Sequence, residues 1–93
     1  MNGDTAAWWV YLLQCSDQTL YTGITTDLNR RIQEHNGLTG GGARYTRSRR
    51  PVQLVWSEIS ESRSAASQRE AAIRRLSRLQ KEQLIQDALG DPL

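Results

Sequence analysis

Residues Trp8 to Cys15 read Trp-Trp-Val-Tyr-Leu-Leu-Gln-Cys, with no glycine, proline or charge among them. A short apolar run rich in β-forming residues predicts a buried strand. Ser16-Asp17-Gln18-Thr19 follows, polar and short, as a hairpin connection needs to be. Leu20 to Thr25 then reads as the returning strand, with Gly23 marking a bulge or a close backbone approach. The two tyrosines of this hairpin, Tyr11 and Tyr21, stand ten apart. A turn centred near Asp17 places them on neighbouring strands, side by side.

Downstream the period changes. Asp27 is a suitable N-cap for a helix reaching about Asn36, and Gly37 is a natural stop. Leu38 to Gly42 is a glycine-rich loop, and Arg44 to Arg50 is a basic loop ended by Pro51. Val52, Leu54 and Trp56 alternate in a third strand running to Ile59. Ser62 to Leu76 predicts a second helix with Ala66, Ile73 and Leu76 inward. Ser77 to Gln80 forms a capping-box pattern, so a third helix runs from there to Leu89 and stops at Gly90. The expected fold is α+β: a small three-stranded antiparallel sheet with about three helices packed on it, in the order β-β-α-β-α-α. At 93 residues the chain supports one domain, with its core between about residues 8 and 89 and a loose start at Met1 to Thr5.

Composition narrows the setting. No apolar stretch approaches the roughly 20 residues of a membrane helix, and the first residues carry Asp4 but no Lys or Arg, unlike a secretory signal. The single cysteine, Cys15, has no partner for a disulfide or a metal cluster, which points to a reducing, cytoplasmic compartment. The net charge is only +2, but eleven of the twelve basic residues are Arg. Between Leu28 and Ser57 six Arg face one acid, Glu34. A general preference for Arg over Lys would explain the ratio but not the missing acids. A surface rich in planar, forked guanidinium groups suits nucleic acid.

Three charged or titratable positions stand out against the helical pattern. Arg31 lies on the inward stripe with Leu28, Ile32 and His35, where a charge needs a partner or a task. His35, the only histidine, projects from the same face one turn later. A lone histidine is more often a surface or core residue than a catalyst. Glu70 stands between Ala66 and Ile73 at the edge of the second helix's inner face. It also has a structural explanation: Ser67-Gln68-Arg69-Glu70 matches a capping box, although the helical pattern begins earlier.

Taken together, Val10-Tyr11-Leu12, Tyr21-Thr22-Gly23, Arg31, His35 and Glu70 resemble the GIY-YIG nuclease family, over Trp9 to about Ile85. The likeness is to small stand-alone bacterial members, which share the Leu-Tyr-Thr-Gly-Ile-Thr segment at Leu20 to Thr25, and to the nuclease subunit of eukaryotic junction-resolving enzymes. Trp9 and Val10 replace the Gly and Ile of the first triplet, and Thr22 replaces the Ile of the second. Both tyrosines remain.

The resemblance implies metal-dependent hydrolysis of phosphodiester bonds in DNA, tied to repair or recombination. It implies that Glu70 holds one divalent cation, Mg²⁺ or Mn²⁺, a hard ion that prefers oxygen ligands. Arg31 would meet the charge growing on the phosphate. Tyr11 or Tyr21, with Tyr11 preferred, would deprotonate water; an unperturbed phenol titrates at about 10 and needs a nearby cation to ionise. His35 would relay a proton or bond a tyrosine, and Gly23 would let backbone approach the site. Arg44, Tyr45, Arg47, Arg49 and Arg50 would contact nucleic acid, through phosphates more than bases. RNA as a second substrate and a protein partner for targeting stay open. The competing expectation is a non-catalytic nucleic-acid-binding module on the same scaffold.

Overall fold

The computed structural model describes residues 7–38 and 42–90. Residues 1–6, 39–41 of the glycine-rich loop, and 91–93 therefore lie outside the described residues. The apolar run forms β1 (Trp8–Gln14), which is the central strand of a three-stranded sheet ordered β2-β1-β3. Central position explains its composition: a strand flanked on both sides and covered on both faces has no polar face to show. Val10, Leu12 and Leu13 are fully buried, each contributing about 1.5–3 kcal/mol relative to exposure. The hairpin to β2 (Leu20–Thr25) is antiparallel, with Gln14 opposite Leu20 and Tyr11 opposite Gly23. Its tip is held by Asp17, whose carboxylate accepts from the Thr19 amide at 3.1 Å and hydroxyl at 2.6 Å. This register corrects the expected tyrosine pairing. Tyr21 faces Leu13, so the two tyrosines lie diagonally on one face.

On its other edge β1 pairs with β3 (Gln53–Ser60), where the register shifts between Leu12 and Leu13. Leu12 meets Trp56 and Leu13 meets Leu54, so Val55 is the extra residue of a bulge. The bulge breaks the simple alternation expected of Val52, Leu54 and Trp56. Val52 and Leu54 pack with Tyr11, Leu13 and Cys15, whereas Trp56 packs with Val10 and Leu12 on the opposite face. The sheet thus separates two apolar clusters, and helices cover both.

Helix α1 (Leu28–His35) begins at Asp27, whose carboxylate accepts from the Arg30 amide, and ends at Asn36 before Gly37 at φ 81°. Leu28 and Ile32 cover the Tyr11 face. The basic loop contains one element that the sequence did not suggest, the single turn α2 (Arg44–Arg47). Helix α3 (Arg63–Arg74) is capped by Ser62, and its Ala66 and Ile73 are completely buried on the Val10 face. Helix α4 (Arg78–Ala88) carries the expected reciprocal Ser77–Gln80 capping box, with Gly90 at φ 82° beyond it. The α+β class and the principal order β-β-α-β-α-α stand, with α2 inserted before β3. No helix among the described residues is long and apolar enough to cross a membrane.

Candidate active site

The site is built on the α1 face of the hairpin. Tyr11 is buried, and its ring lies across the neighbouring strand with the hydroxyl over Gly23. A Cβ on Gly23 would stand 2.4 Å from Tyr11 Oη and 2.6 Å from Cζ, so only glycine admits this ring position. Tyr21, two residues nearer the turn, places its ring centroid 6.4 Å away. The Asp27 cap fixes where α1 starts, and one face of that helix then delivers both Arg31 and His35. The imidazole is completely buried and stands edge-on to both phenols, 5.9 Å from Tyr11 and 5.1 Å from Tyr21 between centroids.

Hydrogen bonds join these groups in series. Tyr11 Oη and His35 Nε2 are 2.9 Å apart, and His35 Nδ1 lies 2.8 Å from Thr46 Oγ1. Thr46, also completely buried, donates its hydroxyl to the Ala43 carbonyl at 3.0 Å. Burial pushes Tyr11 up to about 12, against the pull of the Arg31 guanidinium that faces its hydroxyl. Burial, reinforced by Arg31, lowers His35 to about 4. At neutral pH the pair is a protonated phenol bonded to a neutral imidazole.

Arg31 does have the partner its position demands: Nη1 donates to Glu34 Oε1 at 2.8 Å, and its side chain keeps 30% exposure. Burial alone would lower its pKa, but Glu34 and Tyr11 outweigh that and raise it, so its charge is secure. Glu70 comes from the helix on the other sheet face. Its side chain is 20% exposed and bonded to Arg74 Nη2 at 3.2 Å. Its charge contributes to the raised pKa of Tyr11. The capping-box explanation for Glu70 does not hold, because α3 is capped by Ser62 and Ser67 sits inside the helix.

Among the described residues no cluster of three or more His, Cys, Asp or Glu could enclose a metal ion. One half-buried carboxylate, Glu70, would fit a cation that takes its remaining ligands from phosphate and water, as Mg²⁺ commonly does. It does not suit a permanently caged structural metal.

The basic segment adjoins this centre but is not uniform. Arg44 and Arg47 are exposed, and neither is in an ion pair among the described residues. Tyr45 is 37% exposed and stacks on Tyr21 at 5.8 Å between centroids. Arg49 is engaged within the protein: its guanidinium lies 4.0 Å from the Tyr45 ring and bonds Asp17 at 2.9 Å. Arg50 closes the end of α1, donating Nε to the His35 carbonyl at 2.6 Å, with its guanidinium packed over Gly37. Thr46 is the residue that sequence reasoning missed. Its only signal was being the one uncharged, non-aromatic position of the turn Arg44-Tyr45-Thr46-Arg47.

The GIY-YIG catalytic domain matches residues 7–83. The chain belongs to the GIY-YIG family. That family is one of nucleases, and this is a small member with the two tyrosines, Arg31, His35 and Glu70 placed as described. It is 58% identical over 82 residues to a UPF0213 protein of Desulfotalea psychrophila, covering 88% of this chain and 74% of that one. It is 54% identical to a UPF0213 protein of Natronomonas pharaonis, covering 88% and 94%. Among solved structures, the solution NMR structure of a UPF0213 protein from Bacillus halodurans matches with 42% identity and a TM-score of 0.56, covering 92% of this chain and 88% of that one. A protein from E. faecalis, also solved by NMR, matches with 38% identity and a TM-score of 0.62, covering 94% and 91%. Two of the three departures from the family triplets fall on packing positions, Val10 in the core and Thr22 buried, while Trp9 is half-buried and outside both apolar clusters.

Proposed function

We propose that this protein is a metal-dependent endonuclease that hydrolyses phosphodiester bonds in DNA, selects its substrate by shape more than by sequence, and serves repair or recombination. The observation that carries the reading is the 2.9 Å bond between Tyr11 and a buried, neutral His35, beside the Arg31 guanidinium. A phenol near 12 is a poor base alone. It takes a proton from water only by passing its own on, and His35 Nε2 is the acceptor in reach; the negative charge of a bound phosphate would offset the burial and Arg31 repulsion that lower the imidazole.

In this reading a water is held against Tyr11 Oη. As the water oxygen forms its bond to phosphorus, its proton passes to Oη and the phenolic proton passes to His35 Nε2. The opposite phosphorus–oxygen bond breaks with its electron pair going to the leaving oxygen, which takes a proton from solvent. The imidazolium then returns its proton through Tyr11 to water. Arg31 has five N–H donors, of which Glu34 and Tyr11 occupy some; the rest can meet the non-bridging oxygens as charge accumulates. A divalent cation held at Glu70, Mg²⁺ or Mn²⁺, would supply neutralising charge at the phosphate. Arg44 and Arg47 would follow the DNA backbone, with Tyr45 between them and the tyrosine pair.

The deciding experiment offers plain duplex, flapped and branched DNA, with matching RNA, to the purified protein in Mg²⁺ or Mn²⁺. Cleavage of DNA that disappears in Tyr11→Phe and with chelator is expected, with branched or flapped substrates preferred. A folded parent that binds DNA but cuts none of these would establish the binding module instead.

A further inference from the structure

The His35–Thr46 contact links the candidate centre to the basic segment, and its direction can be deduced. Thr46 has one hydroxyl proton, and it goes to the Ala43 carbonyl at 3.0 Å. Toward His35, 2.8 Å away, Thr46 Oγ1 can then only accept, so His35 Nδ1 carries a hydrogen. The neutral ring therefore leaves Nε2 as a lone pair, and Tyr11 donates to it. The opposite arrangement places the hydrogen on Nε2 and turns the Thr46 hydroxyl toward Nδ1. The buried Tyr11 hydroxyl would then need another acceptor, and Arg31, which faces it, offers donors only. The first arrangement satisfies both hydroxyls within the protein, whereas the second leaves the Tyr11 hydroxyl to find a water, so the first is favoured.

We infer that Thr46 is a positioning residue: it holds His35 as the Nδ1–H tautomer, which orients the Tyr11 hydroxyl toward the imidazole and makes proton transfer from Tyr11 to Nε2 available. This rests on the proposed nuclease reading for its catalytic consequence, but not for the tautomer itself. The placement has a second effect. Thr46 belongs to α2, the same turn that exposes Arg44 and Arg47. The segment proposed to seat on DNA is thereby fastened to the imidazole by one hydroxyl, and the relay is complete only when α2 is docked.

The chain has a single histidine, so ¹⁵N-labelled protein shows one imidazole, and its two nitrogen shifts report the tautomer directly. At pH 7 the parent is expected to show the Nδ1–H form. Thr46→Val keeps the shape but removes the acceptor, and it should lose the dominance of that form. Its kcat on DNA should fall roughly hundredfold, the scale of a missing acid–base contribution, with KM nearly unchanged. Thr46→Ser restores the hydroxyl and should restore both the spectrum and most of kcat. An Nε2–H parent overturns the inference whatever the variants do, and this result needs no variant that folds. A folded Thr46→Val protein that keeps the parent tautomer and kcat also overturns it. Absence of cleavage in the parent would defeat the nuclease reading alone, while the spectra of parent, Val and Ser proteins would still decide the role of Thr46.

Discussion

At the scale of single residues, two predictions test how tightly the centre is built. His35 is buried and neutral, with its pKa lowered to about 4 from the usual 6.5. Above 6.5 neither the folded nor the unfolded chain protonates it. Between 6.5 and 4 the unfolded chain binds a proton that the folded one refuses, so stability must fall as the pH falls. The full difference is roughly 3 kcal/mol, at about 1.4 kcal/mol per unit. Denaturant melts of the parent and of His35→Gln from pH 7.5 to 4 should show a steeper loss for the parent across this window. An imidazole titrating near 6.5 in the folded protein would contradict the buried, neutral ring. Gly23 is the second test. Its Cβ would fall 2.4 Å from the hydroxyl of a ring that is itself only 1% exposed. Gly23→Ala should cost about 1–3 kcal/mol, the usual scale of overpacking. It should also disturb the His35 nitrogen shifts, since Tyr11 must move. Normal melting and unchanged shifts would mean the close approach is not held in solution.

Secondary-structure elements show where the sequence was readable and where it was not. The hairpin, the helix from Asp27 and the last helix follow from local signals, because caps and turns act within four residues: Asp27 with Arg30, and Ser77 with Gln80. The α1 stripe also exposed Arg31 and His35 as candidates, since a charge on an inward face is a local anomaly. Three features depended on distant partners and had no local sign. The bulge at Val55 arises from pairing with β1, and it alone sends Trp56 to the other face. The turn α2 has no side-chain cap of its own. The division of labour among the basic residues was hidden as well, because four similar arginines cannot be told apart before Asp17 and the His35 carbonyl are seen beside two of them. That division makes a prediction. Arg44→Ser with Arg47→Ser should leave melting nearly unchanged and flatten the salt dependence of duplex binding, by roughly 0.9 in slope for each phosphate no longer neutralised. Arg50→Ser should instead lower stability, because it uncovers the end of α1. If both changes affected only binding, or both only stability, the assignment of these roles would be wrong.

Across the whole molecule, groups from both faces of one thin sheet gather around Tyr11, Tyr21 and His35: Arg31 from α1, Thr46 and Tyr45 from the basic segment, and Glu70 from α3 on the far face. Among the described residues the proposed cation site offers a single carboxylate, Glu70, which pairs with Arg74. A site of this kind should bind Mg²⁺ weakly in the free protein and more tightly once DNA supplies phosphate oxygens. Linkage makes the effect reciprocal: if DNA improves the affinity for Mg²⁺, then Mg²⁺ improves the affinity for DNA by the same factor. The coupling can be measured in the Tyr11→Phe protein, which is expected to leave the DNA intact. At constant ionic strength, saturating Mg²⁺ should tighten duplex binding by about tenfold, within the ordinary range for coupled sites. Adding Glu70→Gln should abolish that gain. In the absence of metal, the Gln variant should bind DNA at least as well as its Glu70 parent, since one negative charge near the phosphates is gone. Two results would remove Glu70 from the proposed cation site. One is tight Mg²⁺ binding without DNA that survives Glu70→Gln. The other is a metal-dependent gain in DNA affinity that persists in the double variant.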